Sequence, residues 1–223
     1  MRLKIAWCGK VLVCWALLGA GPIWADSPPS VDEKLVPLRA ATAVELVPAG
    51  WEESDRLTHD FNGDERADLA LVVTRSRSSD SLGEDNDRIL ILALGEVTGF
   101  RRVVATYCVA LCSACGGILG DPYQSLKLSP AGSLWVTNHG GSAERWTTRY
   151  TIAWREQRFL LVGYDSEVQF IHEPGRVEAR SVNLLTGRYR DRGEETEKRH
   201  SLQPIDPNRC DALRGLEATL SAL

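Results

Sequence analysis

The alternation of apolar and polar side chains with a period of two constrains the fold of this chain more than any other feature. It is clearest at 145–155, where one face carries Trp146, Thr148, Tyr150, Ile152 and Trp154. The opposite face carries Thr147, Arg149, Thr151 and Ala153. Successive side chains of a β-strand point to opposite faces, and aromatic and β-branched residues favour that conformation. The segment is therefore predicted to be a strand.

Apolar runs elsewhere predict further strands. The runs at 67–75 and 88–94 are apolar on both faces, which is typical of central strands that are covered on both sides. The other predicted strands are 43–47, 100–107, 124–129, 133–138, 159–165 and 178–183. The segment 108–122 holds three cysteines and three glycines and is predicted to be an irregular loop, whereas the charge run 191–200 is predicted to be a solvated loop or edge.

One helix is predicted, at 206–220 near the C-terminus. Asp206 can cap it, Pro207 suits its first turn, and Leu213, Leu216 and Leu220 follow at helical spacing. Strand after strand joined by short turns, followed by a single helix, predicts an all-β fold of mainly antiparallel sheet. We expect a sandwich or a curled sheet with one C-terminal helix.

The N-terminus has the pattern of a secretory signal peptide. Arg2 and Lys4 precede an apolar stretch at 11–18, and Ala25 offers a small residue for cleavage. The apolar stretch is shorter than the roughly 20 residues that a spanning helix needs. The sequence thus predicts a signal peptide at 1–25, a flexible lead-in at 26–40, and a single domain at 41–223 without a transmembrane segment. The expected location is the periplasm or the extracellular space.

The charge of the chain argues against nucleic acid as a partner. Removal of residues 1–25 takes away three basic residues and no acid, which changes the formal net charge from −4 to −7. An acidic surface without a basic stripe repels phosphate backbones. A protein or a glycan is the partner that we expect instead.

Four cysteines remain after cleavage, namely Cys108, Cys112, Cys115 and Cys210. An even number in an exported protein indicates disulfides, here two bridges with three alternative pairings. If both form, Cys210 pairs with one of the three clustered cysteines. The spacing of Cys112 and Cys115 is also that of a redox-active dithiol, but Gly116 and Gly117 disfavour the helix that such a site uses, so a structural bridge is expected.

The segment Asp60-Phe61-Asn62-Gly63-Asp64-Glu65-Arg66-Ala67-Asp68 carries oxygen-bearing side chains at its positions 1, 3, 5 and 9. Three carboxylates and one amide supply the hard oxygen ligands that Ca²⁺ prefers. Position 12 is Leu71 in place of the bidentate Glu of an EF-hand, and an apolar strand follows in place of a helix. The loop is therefore predicted to bind calcium without being an EF-hand, and the alternative is a polar turn whose carboxylates cap the chain.

This loop and its following apolar run resemble the calcium loop of FG-GAP and VCBS repeats, which occur in integrin-type β-propellers. The resemblance implies that Asp60, Asn62, Asp64 and Asp68 bind Ca²⁺ through side-chain oxygens and that Arg66 binds it through its main-chain carbonyl. It covers about 15 residues. Further landmarks at 48–51, 116–123, 140–146 and 183–187 resemble a group of exported bacterial proteins without an assigned activity.

The loop departs from the family pattern at Glu65, where glycine is usual because the backbone turns through a conformation that is unfavourable for other residues. The cost of about 1 kcal/mol predicts either weaker binding, in the range of extracellular calcium modules, or a vestigial site. The acidic stretch 84–87 offers an additional ligand or an ordinary solvated loop. A single loop of this kind in a chain of 223 residues predicts that the fold is not a full propeller.

The function expected from these features is that of an exported calcium-binding β domain with a structural or binding role and no catalysis. Trp135, Trp146 and Trp154 are expected to be core or half-buried sheet residues, with an exposed platform for sugars or peptides as the alternative. The alternative function is a periplasmic or secreted hydrolase built on the glycine-rich segments 116–123 and 138–142. In that alternative, Ser142 is the nucleophile, His139 the base, and Asp121 or Asp165 the orienting acid.

Overall fold

The computed structural model of the protein describes residues 31–32, 34–75, 87–191, 194–196 and 203–221. The strands form two antiparallel sheets, which confirms the predicted all-β fold and its C-terminal helix. Neither sheet is a propeller blade of a repeating set, as expected from the single loop. The signal-peptide prediction and most of the acidic stretch 84–87 lie outside the described residues.

The smaller sheet has the strand order β1-β5-β4-β3-β2. Its strands are β1 (Arg39–Ala40), β2 (Trp51–His59), β3 (Asp68–Arg75), β4 (Arg88–Glu96) and β5 (Gly99–Thr106). The predicted apolar runs at 67–75 and 88–94 become β3 and β4, which pair with each other and lie inside the sheet. Both strands are buried along almost their whole length, as the absence of a polar face predicts.

The larger sheet is a meander with the order β12-β11-β10-β9-β8-β7-β6. Its strands are β6 (Tyr123–Leu128), β7 (Leu134–Gly141), β8 (Glu144–Arg155), β9 (Arg158–Phe170), β10 (Val177–Asn183), β11 (Arg188–Asp191) and β12 (Glu194–Thr196). The predicted strand 145–155 forms all of β8 except its first residue, and buried residues alternate with more exposed ones only from Arg149 to Ile152. Short β11 and β12 extend into the charge run that was predicted to be a loop or edge.

The main core lies between the two sheets. Alternate residues of β3 and β4, among them Val72 and Leu92, meet Val136 and Ile152 of the larger sheet. Each such aliphatic side chain contributes about 1.5–3 kcal/mol when it leaves water. A second core on the opposite face of the smaller sheet uses the intervening residues, such as Leu71 and Ile91, which explains why these strands lack a polar face.

The segment before β2 covers the second core. Val36 and Leu46 are fully buried there, and β1 pairs with β5, so residues 36–40 of the predicted lead-in belong to the packed structure. The predicted strand at 43–47 is wrong, because Val44–Leu46 forms a 3-10 helix. Sequence reasoning also missed β2, whose exposed, highly charged residues hide its pairing with β3.

The C-terminal helix α1 (Cys210–Ser221) begins four residues after the predicted start at 206, because 206–209 forms a turn in which Arg209 N donates to the carbonyl of Asp206. Its apolar face, Leu213, Leu216 and Leu220, packs into the main core as predicted. The Tyr150 hydroxyl donates to Glu217 Oε1 at 2.7 Å and links the helix to β8. In the described residues, none of the helices combines the length and the apolar character required to cross a membrane.

Candidate functional site

The predicted calcium loop connects β2 to β3 as a hairpin, closed by the pairing of His59 with Asp68. The carboxylate of Asp60 lies beneath the turn. Its Oδ1 accepts hydrogen bonds from Gly63 N at 2.7 Å and Asp64 N at 3.2 Å, and its Oδ2 accepts one from Glu65 N at 2.9 Å. One side chain therefore satisfies three successive backbone donors that the tight turn leaves without partners in the sheet.

Asn62 and Asp64 are also turned back onto the loop. Asn62 Oδ1 accepts from Asp64 N at 3.0 Å, and Asp64 Oδ1 accepts from Arg66 N at 3.0 Å. The Arg66 guanidinium pairs with Asp64 Oδ2 at 3.0 Å, where a cation would also find a ligand. Partial burial alone would raise the pKa of Asp64, but the hydrogen bonds and the positive charge of Arg66 lower it.

Asp68 plays a different part because it is completely buried, with 0 % of its surface exposed. Its Oδ2 accepts from Phe61 N and its Oδ1 from Gly95 N, both at 2.9 Å, so one carboxylate joins the loop to the end of β4. Burial raises the pKa of Asp68, and the two backbone donors oppose that rise. The loop approaches Gly95 so closely that a Cβ there would lie 2.5 Å from the carbonyl oxygen of Ala67.

Glu65 adopts the left-handed conformation that its place in the pattern requires, with φ of 65°. Gly63 nearby has φ of 79° without steric cost. The side chain of Glu65 thus carries a backbone strain of about 1 kcal/mol that glycine would not. The backbone therefore turns through the left-handed region at Glu65, as the sequence predicted, although no glycine stands there.

The donor chemistry of the loop fits Ca²⁺, and its arrangement fits only in part. Asp60, Asn62 and Asp64 all face the inside of the loop, whereas Asp68 is directed towards the sheet. Within the described residues, no three His, Cys, Asp or Glu side chains stand close enough to hold a metal ion. Asp87, the described end of the acidic stretch 84–87, instead accepts from Ser113 N at 2.8 Å, far along the chain.

The cysteines form the two expected bridges, Cys108–Cys210 and Cys112–Cys115. The first joins the loop after β5 to the first residue of α1. The second closes a short turn within the irregular loop. The structure thereby selects one of the three pairings that the sequence left open.

Sequence reasoning missed two buried polar residues that hold the cysteine-bearing loop. Asn138 accepts from Leu111 N at 3.1 Å and donates to the Val109 carbonyl at 2.9 Å. Arg88 donates to the Leu111 carbonyl at 2.6 Å and forms two bonds with Asp121, at 2.5 and 2.7 Å. The only signal in the sequence was an arginine at the start of an otherwise apolar strand.

The residues of the predicted hydrolase site have other partners. His139 Nδ1 lies 3.0 Å from Thr147 Oγ1, whereas Ser142 follows β7 in an exposed turn. Asp121 pairs with Arg88, and Asp165 pairs with Arg149. The glycine-rich segments do meet, through the hydrogen bond from Gly141 N to the Gly116 carbonyl, but they pack backbone against backbone.

The outer face of the larger sheet carries an open groove of about 420 Å³. Hydroxyl and charged side chains from five adjacent strands line it, among them Thr137, Thr147, Arg149, Asp165, Ser181 and Arg190. At its rim the Arg149 guanidinium stacks on Trp135, 4.4 Å from the ring centroid.

The three tryptophans considered as a platform do not form one surface. Trp154 packs edge-on against Phe159 of the main core, with 5.1 Å between the ring centroids. Trp146 packs against Gly140, where an added Cβ would lie 2.5 Å from the indole ring. Trp135 alone lies beside the groove on the outer face.

Comparisons of the chain with family models, with curated proteins and with solved structures found no match. The fold and the geometry of these sites therefore carry the functional argument.

Proposed function

We propose that this protein is an exported, non-catalytic β domain whose Asp60–Asp68 loop binds Ca²⁺ as a structural clamp on the β2–β3 hairpin. The observation that carries the proposal is the inward orientation of Asp60, Asn62 and Asp64, each of which contacts a main-chain N–H of the same loop. These hydrogen bonds hold the three side chains against their own loop before any ion arrives, which reduces the ordering cost of binding.

In this proposal the side-chain oxygens of Asp60, Asn62 and Asp64 hold the ion together with the main-chain carbonyl of Arg66. Asp68 anchors the loop to β4 and adds its negative charge to those of Asp60 and Asp64. Ca²⁺ supplies positive charge that offsets the repulsion among these carboxylates. Asp64 exchanges its pairing with the Arg66 guanidinium for the ion, which costs little because the exposed pair contributes at most about 1 kcal/mol.

Thermal unfolding in calcium and in chelator tests the clamp. An ion that binds only the folded chain stabilises it by about 1.4 kcal/mol when its concentration is ten times Kd. We expect the melting temperature to rise at millimolar Ca²⁺, and Asp60→Asn and Asp64→Asn to reduce that rise. Glu65→Gln is the matched control, since it changes a carboxylate of the same loop that is not a proposed ligand. An equal rise in all variants, or no rise in the wild type, contradicts the proposal.

Two bridged cysteine pairs support an oxidising compartment as the working location of the domain, since such bridges persist outside the reducing cytosol. Fractionation of cells that express the full chain tests this part. Recovery in the periplasm or medium, with residues 1–25 removed, is the expected result. Recovery of the uncleaved chain in the cytosol contradicts it.

The binding role is assigned to the groove on the outer face of the larger sheet, and a glycan is the proposed ligand. The support is the combination of Thr137 and Thr147 hydroxyls with the Arg149–Asp165 pair beside the indole of Trp135. Hydroxyl-rich ligands use both the polar groups and the apolar ring face of such a groove.

Titration with neutral and acidic oligosaccharides, followed by tryptophan fluorescence, tests the groove. We expect a saturable change that Arg149→Ala weakens at least tenfold. Arg155→Ala is the control, because Arg155 lies exposed at the end of the same strand, outside the groove. No saturable change, or equal weakening by both substitutions, refutes the assignment.

A further inference from the structure

The two disulfides of the domain differ sharply in what they connect. Cys108 and Cys210 are 102 residues apart in sequence, whereas Cys112 and Cys115 are separated by three. The two ends of the short bridge also differ in access. Cys112 is only 4 % exposed, whereas Cys115 lies on the exposed surface of the loop. A thiol in solution can therefore reach the short bridge from one defined side.

The backbone around the short bridge is held by other contacts. Before Cys112, both main-chain groups of Leu111 are bound, the N–H by Asn138 and the carbonyl by Arg88. Between the cysteines, the N–H and hydroxyl of Ser113 both contact the carboxylate of Asp87.

After Cys115 the loop is anchored again. The Gly116 carbonyl accepts from Gly141 N of β7 at 2.9 Å. The bridge consequently spans a segment whose two ends and middle are already attached to the sheets. We therefore expect its opening to leave the sheets, the main core and the helix in place, whereas Cys108–Cys210 is a covalent attachment of α1.

We propose that Cys112–Cys115 is a thiol–disulfide exchange site that a dithiol reductant opens by attack on Cys115. The thiolate of the dithiol forms a bond to Cys115 Sγ, the bond between the two cysteine sulfurs breaks, and Cys112 leaves as a thiolate that takes a proton from solvent. The second thiol of the reductant then attacks the reductant sulfur that is bonded to Cys115. A disulfide forms within the reductant, and Cys115 leaves as a thiolate that takes a proton from solvent. Two electrons pass from the dithiol to the cysteine pair, and the reverse sequence restores the bridge.

Timed reduction of the folded wild-type protein tests this proposal. The protein is exposed to dithiothreitol, the thiols are trapped with an alkylating reagent, and the modified cysteines are identified by mass spectrometry. We expect Cys112 and Cys115 to become labelled at least tenfold faster than Cys108 and Cys210, with an unchanged far-ultraviolet circular dichroism spectrum. Equal rates, faster labelling of Cys108, or loss of the spectrum as Cys112 and Cys115 are labelled overturns the proposal.

The side of attack is tested with a matched pair of variants, Cys112→Ser and Cys115→Ser, each of which leaves one free thiol. With glutathione disulfide, the thiol of Cys115 in the first variant is expected to form a mixed disulfide at least tenfold faster than that of Cys112 in the second. Equal or reversed rates overturn the proposed attack on Cys115. If either variant folds poorly, the timed reduction of the wild-type protein still tests the proposal, because it needs no substitution.

Discussion

Replacement of Asp68 by asparagine separates an anchoring role in the fold from a role in metal binding. The wild-type carboxylate accepts from two backbone donors, Phe61 N and Gly95 N. Asparagine has the same shape but offers one oxygen and one NH₂ group, so one of these donors faces another donor. A buried donor without an acceptor costs about 1–3 kcal/mol. We therefore expect Asp68→Asn to lower the free energy of unfolding by about 2 kcal/mol in the absence of calcium.

Urea unfolding in the presence of a calcium chelator, followed by tryptophan fluorescence, measures this loss as a shift of the midpoint at constant slope. Asp64→Asn is the matched control within the loop. Its single oxygen still accepts from Arg66 N, and its position is exposed, so its stability should stay within about 0.5 kcal/mol of the wild type. A stable Asp68→Asn variant refutes the anchoring argument. A loss that appears only when calcium is present makes Asp68 a ligand instead.

The pH dependence gives a second test of Asp68. Burial holds its pKa in the folded chain above that in the unfolded chain, so the folded state binds the proton more tightly. Its contribution to stability is consequently greatest below the unfolded pKa of about 3.9 and decreases as the pH rises through the folded pKa. We expect the stability difference between wild type and Asp68→Asn to shrink from pH 4 to pH 7. A difference that widens over this range contradicts the raised pKa.

Three further predictions concern stability and use the same urea assay. Arg88→Met should lower the free energy of unfolding by about 2–4 kcal/mol, mainly because the Leu111 carbonyl loses its buried donor, while half-exposed Asp121 is rehydrated. A loss below about 1 kcal/mol would contradict the stabilising role of the Arg88 hydrogen bonds. Gly63→Ala should cost about 1 kcal/mol from backbone strain alone, because an added Cβ meets no atom within 4 Å; an unchanged midpoint contradicts the left-handed turn. Replacement of Cys108 and Cys210 together by serine should cost up to about 5 kcal/mol, since their bridge closes a loop of about 100 residues; a loss no larger than that from opening Cys112–Cys115 refutes the loop-entropy account.

Most strands were predictable because their apolar patterns reflect local periodicity. The double-sided apolar runs became β3 and β4, the alternation at 145–155 became β8, and the leucine spacing near the C-terminus became α1. The missed strand β2 and the wrong strand prediction at 43–47 also have physical causes. Strand β2 is charged because it lies at a sheet edge, and the segment at 43–47 looked like a strand because its apolar residues cover a core without joining a sheet.

In the candidate site, too, local features were predictable from the sequence and contacts between distant residues were not. Oxygen-bearing residues at suitable spacing identified the loop, and the pattern located the strained turn at Glu65. The sequence did not show that Asp68 would point beneath the loop to Gly95, because that contact joins residues 27 positions apart. It also did not show that Asn138 and Arg88 would hold the cysteine-bearing loop, because their partners lie on other strands.

By itself the sequence determined the fold class, the presence of the helix and the loop at 60–68 with its oxygen-bearing side chains. These features depend on interactions between residues close together in the chain, so their signal is contained in a short window. The tertiary structure alone decided the sheet order, the pairing of Cys108 with Cys210, the burial of Asp68 and the groove on the outer face. Each of these depends on which distant segments meet, and that is settled only when the two sheets and the N-terminal segment pack together and exclude water from their common cores.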